Sequence, residues 1–236
     1  MSNLLEFIQT KAIHDKTQKI NEGLVTFLNP YSYLVARKNY NVFEKIDFIG
    51  IDGDWLRRFL KFFGVGSYQR ISFDMTSYAP LIFERAVKEK SSIYVIGSTE
   101  ISIESMIKNI QREFSGLKVV GWHHGYIAGV SDKVIDEIVL LSPKIVIVGM
   151  GAPLQEQFLL ELWAKGWRGA GFTCGGFIHQ TAISTVYYPK WIDKYNLRWL
   201  YRIYDEPVLF KRYMFLYPYF VIMFIVDYLK YRVSDK

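Results

Sequence analysis

The sequence contains a single cysteine, Cys174, among its 236 residues. A disulfide within the chain is therefore excluded, and such cysteine usage is typical of a reducing compartment. No uninterrupted apolar run reaches the ~20 residues that a helix needs to span a bilayer. Residues 1–20 carry charges among their apolar positions, so we expect no signal peptide there. The sequence also lacks internal repeats and low-complexity segments.

The composition is rich in apolar and basic residues. Half of the residues are hydrophobic and 17% are aromatic, enough for a sizeable core, and the formal net charge is +6. That charge suggests an acidic partner: nucleic acid, a phosphorylated substrate or an anionic membrane surface. Residues 187–236 hold nine basic and five acidic residues, hence four of the six net charges. Apolar runs dominate this tail, so we expect no nucleic-acid partner.

Strand-like and helix-like patterns alternate along the first 186 residues. Apolar runs rich in β-branched residues predict strands at 23–28, 47–51, 92–97, 117–122, 145–148 and 169–176. Helical spacing predicts helices at 3–20, 31–39, 55–63, 78–89, 101–114, 130–141 and 154–163. This alternation predicts an α/β fold, with a Rossmann-like, mostly parallel sheet covered by helices.

The composition changes near residue 186, which predicts an α/β domain at 1–186 and a basic, aromatic C-terminal appendage at 187–236. Within the appendage, residues 214–226 are apolar apart from tyrosine hydroxyls, and Pro218 interrupts the run. Aromatic and aliphatic residues flanked by Lys and Arg indicate a segment that lies in the membrane interface. The alternative is a core helix packed on the domain.

The predicted strand 145–148 leads into a glycine turn. Gly149 and Gly151 allow a sharp bend, and Pro153 suits the first turn of the following helix. A helix N-terminus after a buried parallel strand is a typical anion site. The third glycine of a dinucleotide fingerprint is missing. By physical criteria alone, one interpretation of Gln155 and Glu156 is an exposed first turn whose acid favours the helix dipole, and a ligand-binding role is the alternative.

Asp52 follows the predicted strand 47–51 and stands beside Gly53 and Asp54. Three interpretations are open. Asp52 and Asp54 could hold a divalent metal, Asp52 could be a general base, or Asp52 could cap the following helix.

The run from Gly149 to Glu156 resembles the G-x-G-x-P-x-Q-E signature of the WecG/TagA/CpsF glycosyltransferase family (glycosyltransferase family 26). Further matches follow in the family's order, over roughly residues 20–215. They comprise Thr26 and Asn29 at a strand end, the Asp52-Gly53 pair, Arg70 and Asp74, Gly97, Gly125-Tyr126, Gly175-Gly176-Phe177, and the block containing Leu197 to Arg202, Glu206-Pro207 and Arg212-Tyr213. The sequence departs from the pattern at Asp54, at Ile178 and at Arg198.

The resemblance implies an inverting transferase in which Asp52 deprotonates the acceptor hydroxyl without a metal. It implies that Gln155 and Glu156 hold sugar or ribose hydroxyls. Arginine forks suit a diphosphate, with anionic lipid head groups as the alternative partner. The residues predicted to bind substrate are Thr26, Asn29, Arg70, Asp74, Gly97, Tyr126, Gly149, Gly151, Pro153, Gln155, Glu156, Gly176, His179, Gln180, Arg198, Arg202 and Arg212. For His179 and Gln180, which could hydrogen-bond a sugar, a structural pair is the open alternative.

The implied reaction moves a sugar from a UDP-sugar, such as UDP-ManNAc, UDP-ManNAcA or UDP-glucose, to a polyprenyl-diphosphate-linked saccharide in bacterial surface-polysaccharide assembly. The enzyme would be peripheral at the cytoplasmic face of the plasma membrane and a possible homo-oligomer. A nucleotide-sugar oxidoreductase or epimerase, and a non-catalytic membrane scaffold, are the alternatives. For His123 and His124 we favour a solvated or substrate-near loop over a metal site, because no third ligand is evident in the sequence. For Cys174 we favour packing in the core over a role as nucleophile, because the sequence identifies no dedicated base.

Overall fold

A six-stranded sheet in the order β2-β1-β6-β5-β3-β4 forms the centre of the protein, and every neighbouring pair of strands is parallel. The computed structural model describes residues 4–187, 192, 198–207 and 209–234. The strands are β1 Gly23–Leu28, β2 Phe48–Ile51, β3 Ser92–Gly97, β4 Lys118–His123, β5 Ile145–Gly149 and β6 Ala170–Thr173. Residues of β5 are buried throughout, because helices cover the sheet. The predicted α/β, Rossmann-like class is confirmed.

Helices connect the strands and extend beyond the sheet. They are α1 Leu4–Lys11, α2 Pro30–Lys38, α3 Tyr40–Phe43, α4 Asp54–Phe62, α5 Tyr78–Glu89, α6 Glu100–Glu113, α7 Ser131–Leu141, α8 Leu154–Ala164, α9 Phe177–Ile183, α10 Arg198–Asp205, α11 Leu209–Lys211 and α12 Tyr217–Ser234. A π-helical turn, Arg212–Leu216, joins α11 to α12. We call residues 209–234 the C-terminal helix.

Helix α1 is shorter than the helix predicted at 3–20, and that prediction is wrong beyond Lys11. Ala12 forms a parallel bridge with Ile49, and the Ile13 N–H donates to the Ile49 carbonyl at 2.8 Å. The chain therefore leaves the helix to pair with β2. The apolar spacing of Ala12 and Ile13 fits a helix, but their backbone groups are satisfied by the sheet.

The C-terminal helix is longer than the sequence pattern predicted. Leu209–Val233 is one run of 25 residues with mean hydropathy 1.4, long and apolar enough to cross a bilayer by length and composition, although some of it packs on the protein. The prediction that Pro218 interrupts it is wrong. The wide π-helical turn directly precedes Pro218, where the proline ring and missing N–H would disturb regular α-helical bonding.

One face of the C-terminal helix packs on the domain. The rings of Phe220 and Phe224 are fully buried, at 5.2 and 5.7 Å from the Tyr33 ring of α2. Phe59 of α4 contacts the same two rings at 5.5 and 5.4 Å. The opposite face leaves large apolar side chains exposed, namely Met214, Phe215, Tyr219, Ile222, Ile225, Leu229 and Val233. The packed face agrees with the core-helix alternative, and a membrane-interface location stays a prediction.

The predicted division at residue 186 stays a prediction as well. Residues 188–191, 193–197, 208 and 235–236 lie outside the described part of the chain, among them Lys190, Lys194 and the Leu197 of the resemblance block.

Candidate active site

The carboxyl ends of β1, β2, β5 and β6 bring most of the predicted residues to one edge of the sheet. Thr26 and Asn29 come from β1, Asp52 follows β2, Gly149 ends β5, and Gly176 follows β6. These four strands are neighbours in the sheet, so their ends share one crevice. Gly97 ends the adjacent β3, and Tyr126, 74% exposed, follows β4.

Glycines shape this edge by allowing close backbone approach. A Cβ atom on Gly97 would lie 2.4 Å from the Gly149 carbonyl oxygen, and a Cβ atom on Gly149 would lie 2.8 Å from Cys174 Sγ. Gly151 has φ +78°, which lets the chain turn before α8. Pro153 precedes the helix instead of opening its first turn, and the Ala152–Pro153 peptide is cis.

A buried polar cluster joins β1, β6 and α8. Thr26 Oγ1 donates to Glu156 Oε1 at 2.6 Å, Gln155 Nε2 donates to the same oxygen at 3.1 Å, and Thr173 Oγ1 donates to Thr26 Oγ1 at 3.2 Å. The Gly175 N–H donates to Gln155 Oε1 at 3.3 Å. Glu156 is 0% and Gln155 5% exposed, so the prediction of an exposed first turn is wrong.

Glu156 is a carboxyl group without access to water. Its Oε2 is buried and has no hydrogen-bond partner among the residues that the structure describes. Burial raises the pKa of Glu156, and the hydrogen bonds from Thr26 and Gln155 only partly oppose that effect. Glu156 therefore connects α8 to β1 through Thr26, and Thr26 in turn accepts from Thr173 of β6. Direct contact of Gln155 or Glu156 with substrate stays a prediction.

Asp52 stands at the end of β2 with its side chain 27% exposed. Arg70 Nη2 donates to Asp52 Oδ1 at 3.2 Å and to Asp74 Oδ2 at 2.9 Å. Asp52 Oδ2 accepts no hydrogen bond from any residue that the structure describes. Helix α4 begins after Gly53 without a side-chain cap, so the capping interpretation of Asp52 is wrong. An accessible carboxylate held by one arginine is suited to accept a proton.

Asp54 is engaged by its own helix. Arg57 donates from Nε and Nη2 to Asp54 Oδ1 at 3.2 and 3.0 Å, and Arg58 lies 3.6 Å from Oδ2. Asp52 and Asp54 thus pair with different arginines. Metal independence stays a prediction.

Arginines from the C-terminal part reach the same region. Arg198 donates to Asp74 and Thr76, Arg202 Nη2 donates to Glu206 Oε1 at 3.1 Å, and a Cβ atom on Gly176 would lie 3.1 Å from Arg202 Nη2. The guanidinium carbon of Arg212 lies 3.8 Å from the centre of the Tyr31 ring. These three arginines therefore come from the appendage to the end of the sheet.

The start of the C-terminal helix lies beside Asp52. Burial, followed by the charges of Tyr213 and Asp52, raises the pKa of Tyr217. The Trp55 ring of α4 is 6.4 Å from the Tyr217 ring. The edge of the sheet that carries Asp52 and the exposed apolar face of the C-terminal helix are consequently adjacent.

Asn29 has a clear structural role. Its Oδ1 accepts from the N–H groups of Tyr31 and Ser32 at 3.0 Å each, while Ser32 Oγ accepts from the Asn29 N–H at 2.8 Å. This capping box starts α2. A contact of Asn29 with substrate stays a prediction.

The remaining predicted side chains lie in separate places. His179, Asp205 and Glu206 offer ligand atoms within 4.8 Å of one another, the one such group of three within the described ranges. Gln180 is buried and donates its N–H to the Gly176 carbonyl at 3.1 Å. His123 Nδ1 lies 2.8 Å from the His124 carbonyl oxygen. Burial raises the pKa of Cys174, which agrees with its predicted place in the core.

Sequence reasoning missed several members of these networks. Thr173 is a buried hydroxyl inside an apolar strand, a signal that could have found it. Ser72 and Thr76 flank Asp74 at two residues on either side, the spacing of local side-chain turns. Tyr217 could not be recognised as a site residue from the sequence, because an aromatic residue in an apolar run usually belongs to the core.

The description of the matching family model is Glycosyl transferase WecG/TagA/CpsF family, and it covers residues 1–234. The chain belongs to this family. The prediction of a glycosyltransferase is thereby confirmed over an oxidoreductase, an epimerase or a non-catalytic scaffold.

Named relatives agree with the family. The chain is 39% identical over 207 residues to a UDP-Gal:alpha-D-GlcNAc-diphosphoundecaprenol beta-1,4-galactosyltransferase of Shigella boydii, covering 87% of this chain and 86% of the relative. It is 25% identical over 215 residues to an N-acetylglucosaminyldiphosphoundecaprenol N-acetyl-beta-D-mannosaminyltransferase of Bacillus subtilis strain 168, covering 89% and 82%.

Proposed function

We propose that this WecG/TagA/CpsF family member transfers a hexose from a UDP-sugar to an N-acetylglucosamine unit on undecaprenyl diphosphate, with Asp52 as general base. The names of both relatives specify that acceptor. UDP-galactose is the first donor to test, because the 39% identical relative is named for it. UDP-ManNAc follows from the second relative, and UDP-ManNAcA and UDP-glucose complete the panel.

The placement of Asp52 is the observation that supports this proposal. The acceptor hydroxyl oxygen attacks the anomeric carbon from the face opposite the diphosphate, and Asp52 Oδ2 takes the hydroxyl proton. The bond between the anomeric carbon and the phosphate oxygen breaks, and UDP leaves with the electron pair. UDP-hexoses usually carry an α bond, and both relatives are named for β products, which agrees with inversion.

Positive groups stabilise the charge that develops on the leaving diphosphate. Arg202 and Arg212 are the residues we assign to this task, because both come from the appendage to the crevice and guanidinium forks match phosphate oxygens. Gln155 and Glu156 stabilise the ends of β6 and β1 through their hydrogen bonds from Gly175 and Thr26. Among the other predicted residues, Gly97, Tyr126, His179 and Gln180 are candidates for sugar or nucleotide contacts.

A lipid-linked acceptor requires the site to meet a membrane. The exposed apolar face of the C-terminal helix continues onto α4 through Trp55, 52% exposed, and Phe62, 85% exposed. Exposed basic residues accompany it, namely Arg58, Lys61, Lys211, Lys230 and Arg232. This composition suits an anionic membrane surface. UDP-sugars are cytoplasmic metabolites, so we place the enzyme at the cytoplasmic face.

We favour a peripheral position over a membrane-spanning helix because of Asp227. Its carboxylate is 8% exposed and bonds to Tyr33 and Arg37 of α2. A helix that spanned the bilayer away from the domain would carry this charge toward the hydrocarbon unpaired.

The test is acceptor-dependent UDP release with the donor panel and a short-chain GlcNAc-diphosphate lipid, in the presence and absence of EDTA. We expect release with one donor, survival of the activity in EDTA, and a β-linked product by NMR. Loss in EDTA would support a metal at Asp52 and Asp54 instead. No release with any donor, together with no binding of UDP, would overturn the proposed function.

A further inference from the structure

Arg198 makes its contacts far from its own segment. It lies in α10, yet its Nη1 donates to Asp74 Oδ2 at 3.3 Å and its Nη2 donates to Thr76 Oγ1 at 2.7 Å. The side chains of Arg198 and Asp74 are 22% and 14% exposed. Both terminal nitrogens of the guanidinium are therefore directed at the segment that follows Arg70.

Both carboxylate oxygens of Asp74 accept hydrogen bonds. Besides Arg198, its Oδ2 accepts from Arg70 Nη2 at 2.9 Å and from Ser72 Oγ at 2.5 Å. Its Oδ1 accepts from the Thr76 N–H at 2.8 Å and from Thr76 Oγ1 at 2.6 Å. Burial alone would raise the pKa of Asp74, but Arg70, the two hydroxyls and Arg198 together hold that pKa below its ordinary value. Asp74 is thus an ionised anchor.

Arg70 connects this anchor to Asp52. A single nitrogen, Nη2, donates to Asp74 at 2.9 Å and to Asp52 at 3.2 Å. Because the same nitrogen makes both bonds, a displacement of Nη2 that changes its distance to Asp74 also changes its distance to Asp52. The position of Asp74 consequently sets where the Asp52 carboxylate is held.

We propose that Arg198 is a positioning residue that acts on Asp52 through Asp74 and Arg70, and is not a ligand of the donor diphosphate. The C-terminal part of the chain then controls the geometry of the base, although it comes from an element 124 residues distant in sequence from Asp74. The inference deepens the proposed function and rests on it for its kinetic test. A displacement of about 1 Å at a reacting group can cost a hundredfold in rate.

The kinetic experiment compares Arg198→Ala, Thr76→Val, Asp74→Asn and the double variant Arg198→Ala/Asp74→Asn. A water-soluble short-chain acceptor separates these effects from membrane binding, and calorimetry measures UDP affinity. We expect Arg198→Ala to lower kcat about tenfold while the Kd for UDP changes less than about twofold. Arg198→Lys should not restore kcat, because one ammonium does not replace the two-pronged contact. Arg112→Ala, a surface arginine of α6, is the matched control and should match wild type.

The double variant decides whether Arg198 acts through Asp74. We expect its kcat to equal that of the Asp74→Asn single variant, because the two residues form one chain of contacts. Additive losses would overturn the proposal. A UDP Kd raised about tenfold in Arg198→Ala with unchanged kcat would overturn it as well, and would make Arg198 a diphosphate ligand.

A spectroscopic measurement tests the inference even if no transferase activity is found. The carboxyl carbon resonance of Asp52, assigned by its loss in Asp52→Asn, is recorded in aspartate-labelled protein. We expect it to shift in Arg198→Ala and in Thr76→Val but not in Arg112→Ala. An unchanged resonance in Arg198→Ala, with circular dichroism showing an intact fold, would contradict the proposed connection.

Discussion

Asp227 fastens the C-terminal helix to α2, and its removal has a calculable cost. Its Oδ2 accepts from the Tyr33 hydroxyl at 2.9 Å, and its two oxygens accept from Arg37 Nε at 3.0 and 2.9 Å. Asp227 is 8% and Tyr33 0% exposed. Asp227→Ala therefore leaves a buried hydroxyl without its acceptor, in an environment where water does not replace it.

Two estimates bound the effect. An unsatisfied buried hydroxyl costs about 1–3 kcal/mol, and loss of one partner of a buried ion pair costs about 3–5 kcal/mol. The Arg37 side chain is 32% exposed, so its charge is partly solvated and the lower part of the second range applies. We expect Asp227→Ala to lower the free energy of unfolding by about 3 kcal/mol. For a chain of this size that is a fall in Tm of roughly 6–12 °C.

The assay is urea unfolding followed by circular dichroism, with wild type and variants in the same buffer and detergent. Asp227→Asn keeps an acceptor for Tyr33 and should fall between wild type and Asp227→Ala. Asp136→Ala removes a carboxylate whose side chain is 67% exposed and should stay within about 0.5 kcal/mol of wild type. An Asp227→Ala variant as stable as Asp136→Ala would refute the reasoning, because the C-terminal helix would then not depend on α2.

Two further predictions concern the buried carboxyl and the exposed apolar face. Because burial raises the pKa of Glu156 above its ordinary value of 4.5, the folded protein binds a proton that the unfolded chain has already released. The free energy of unfolding of wild type, compared with that of Glu156→Gln, should therefore fall as the pH rises from 4.5 through the pKa of Glu156 in the folded protein. Chemical denaturation at a series of pH values measures this difference, and parallel pH profiles for the two proteins would contradict the prediction. Replacing Phe62 and Ile222 together by serine should weaken co-sedimentation with anionic vesicles at least about tenfold, since each apolar side chain contributes about 1.5–3 kcal/mol when buried. Leu140→Ser, at an 85% exposed position of α7, is the control, and equal binding by all three proteins would contradict a membrane role for this face.

The strands of the sheet were predictable because each is a short apolar run that ends on a turn residue or a polar residue. The run before Gly149 and the run before Asp52 both identified where a parallel strand stops, and hence where the crevice lies. The end of α1 was not predictable, since the pairing of Ala12 with Ile49 depends on a contact made only in the folded sheet. The continuity of the C-terminal helix through Pro218 depends in the same way on a π-helical turn that leaves no sequence pattern.

The candidate site was predictable in its residues but not in their partners. The resemblance pointed to Gln155 and Glu156, but not to the buried hydrogen bond that Glu156 accepts from Thr26, 130 residues away in the sequence. Arg70, Asp74 and Arg198 were predicted one by one as substrate contacts. Their arrangement as a chain that ends on Asp52 is visible only in three dimensions, because Arg198 comes from a different part of the sequence.

The most direct test of the central claim is the single-turnover transfer rate of Asp52→Asn, measured with the donor found in the panel. Asp54→Asn is the matched control, since Asp54 pairs with Arg57 of its own helix. We predict that Asp52→Asn slows transfer by about 100- to 10,000-fold with UDP affinity unchanged, while Asp54→Asn stays within about threefold of wild type. An Asp52→Asn rate within about tenfold of wild type would contradict the role of Asp52 as the base.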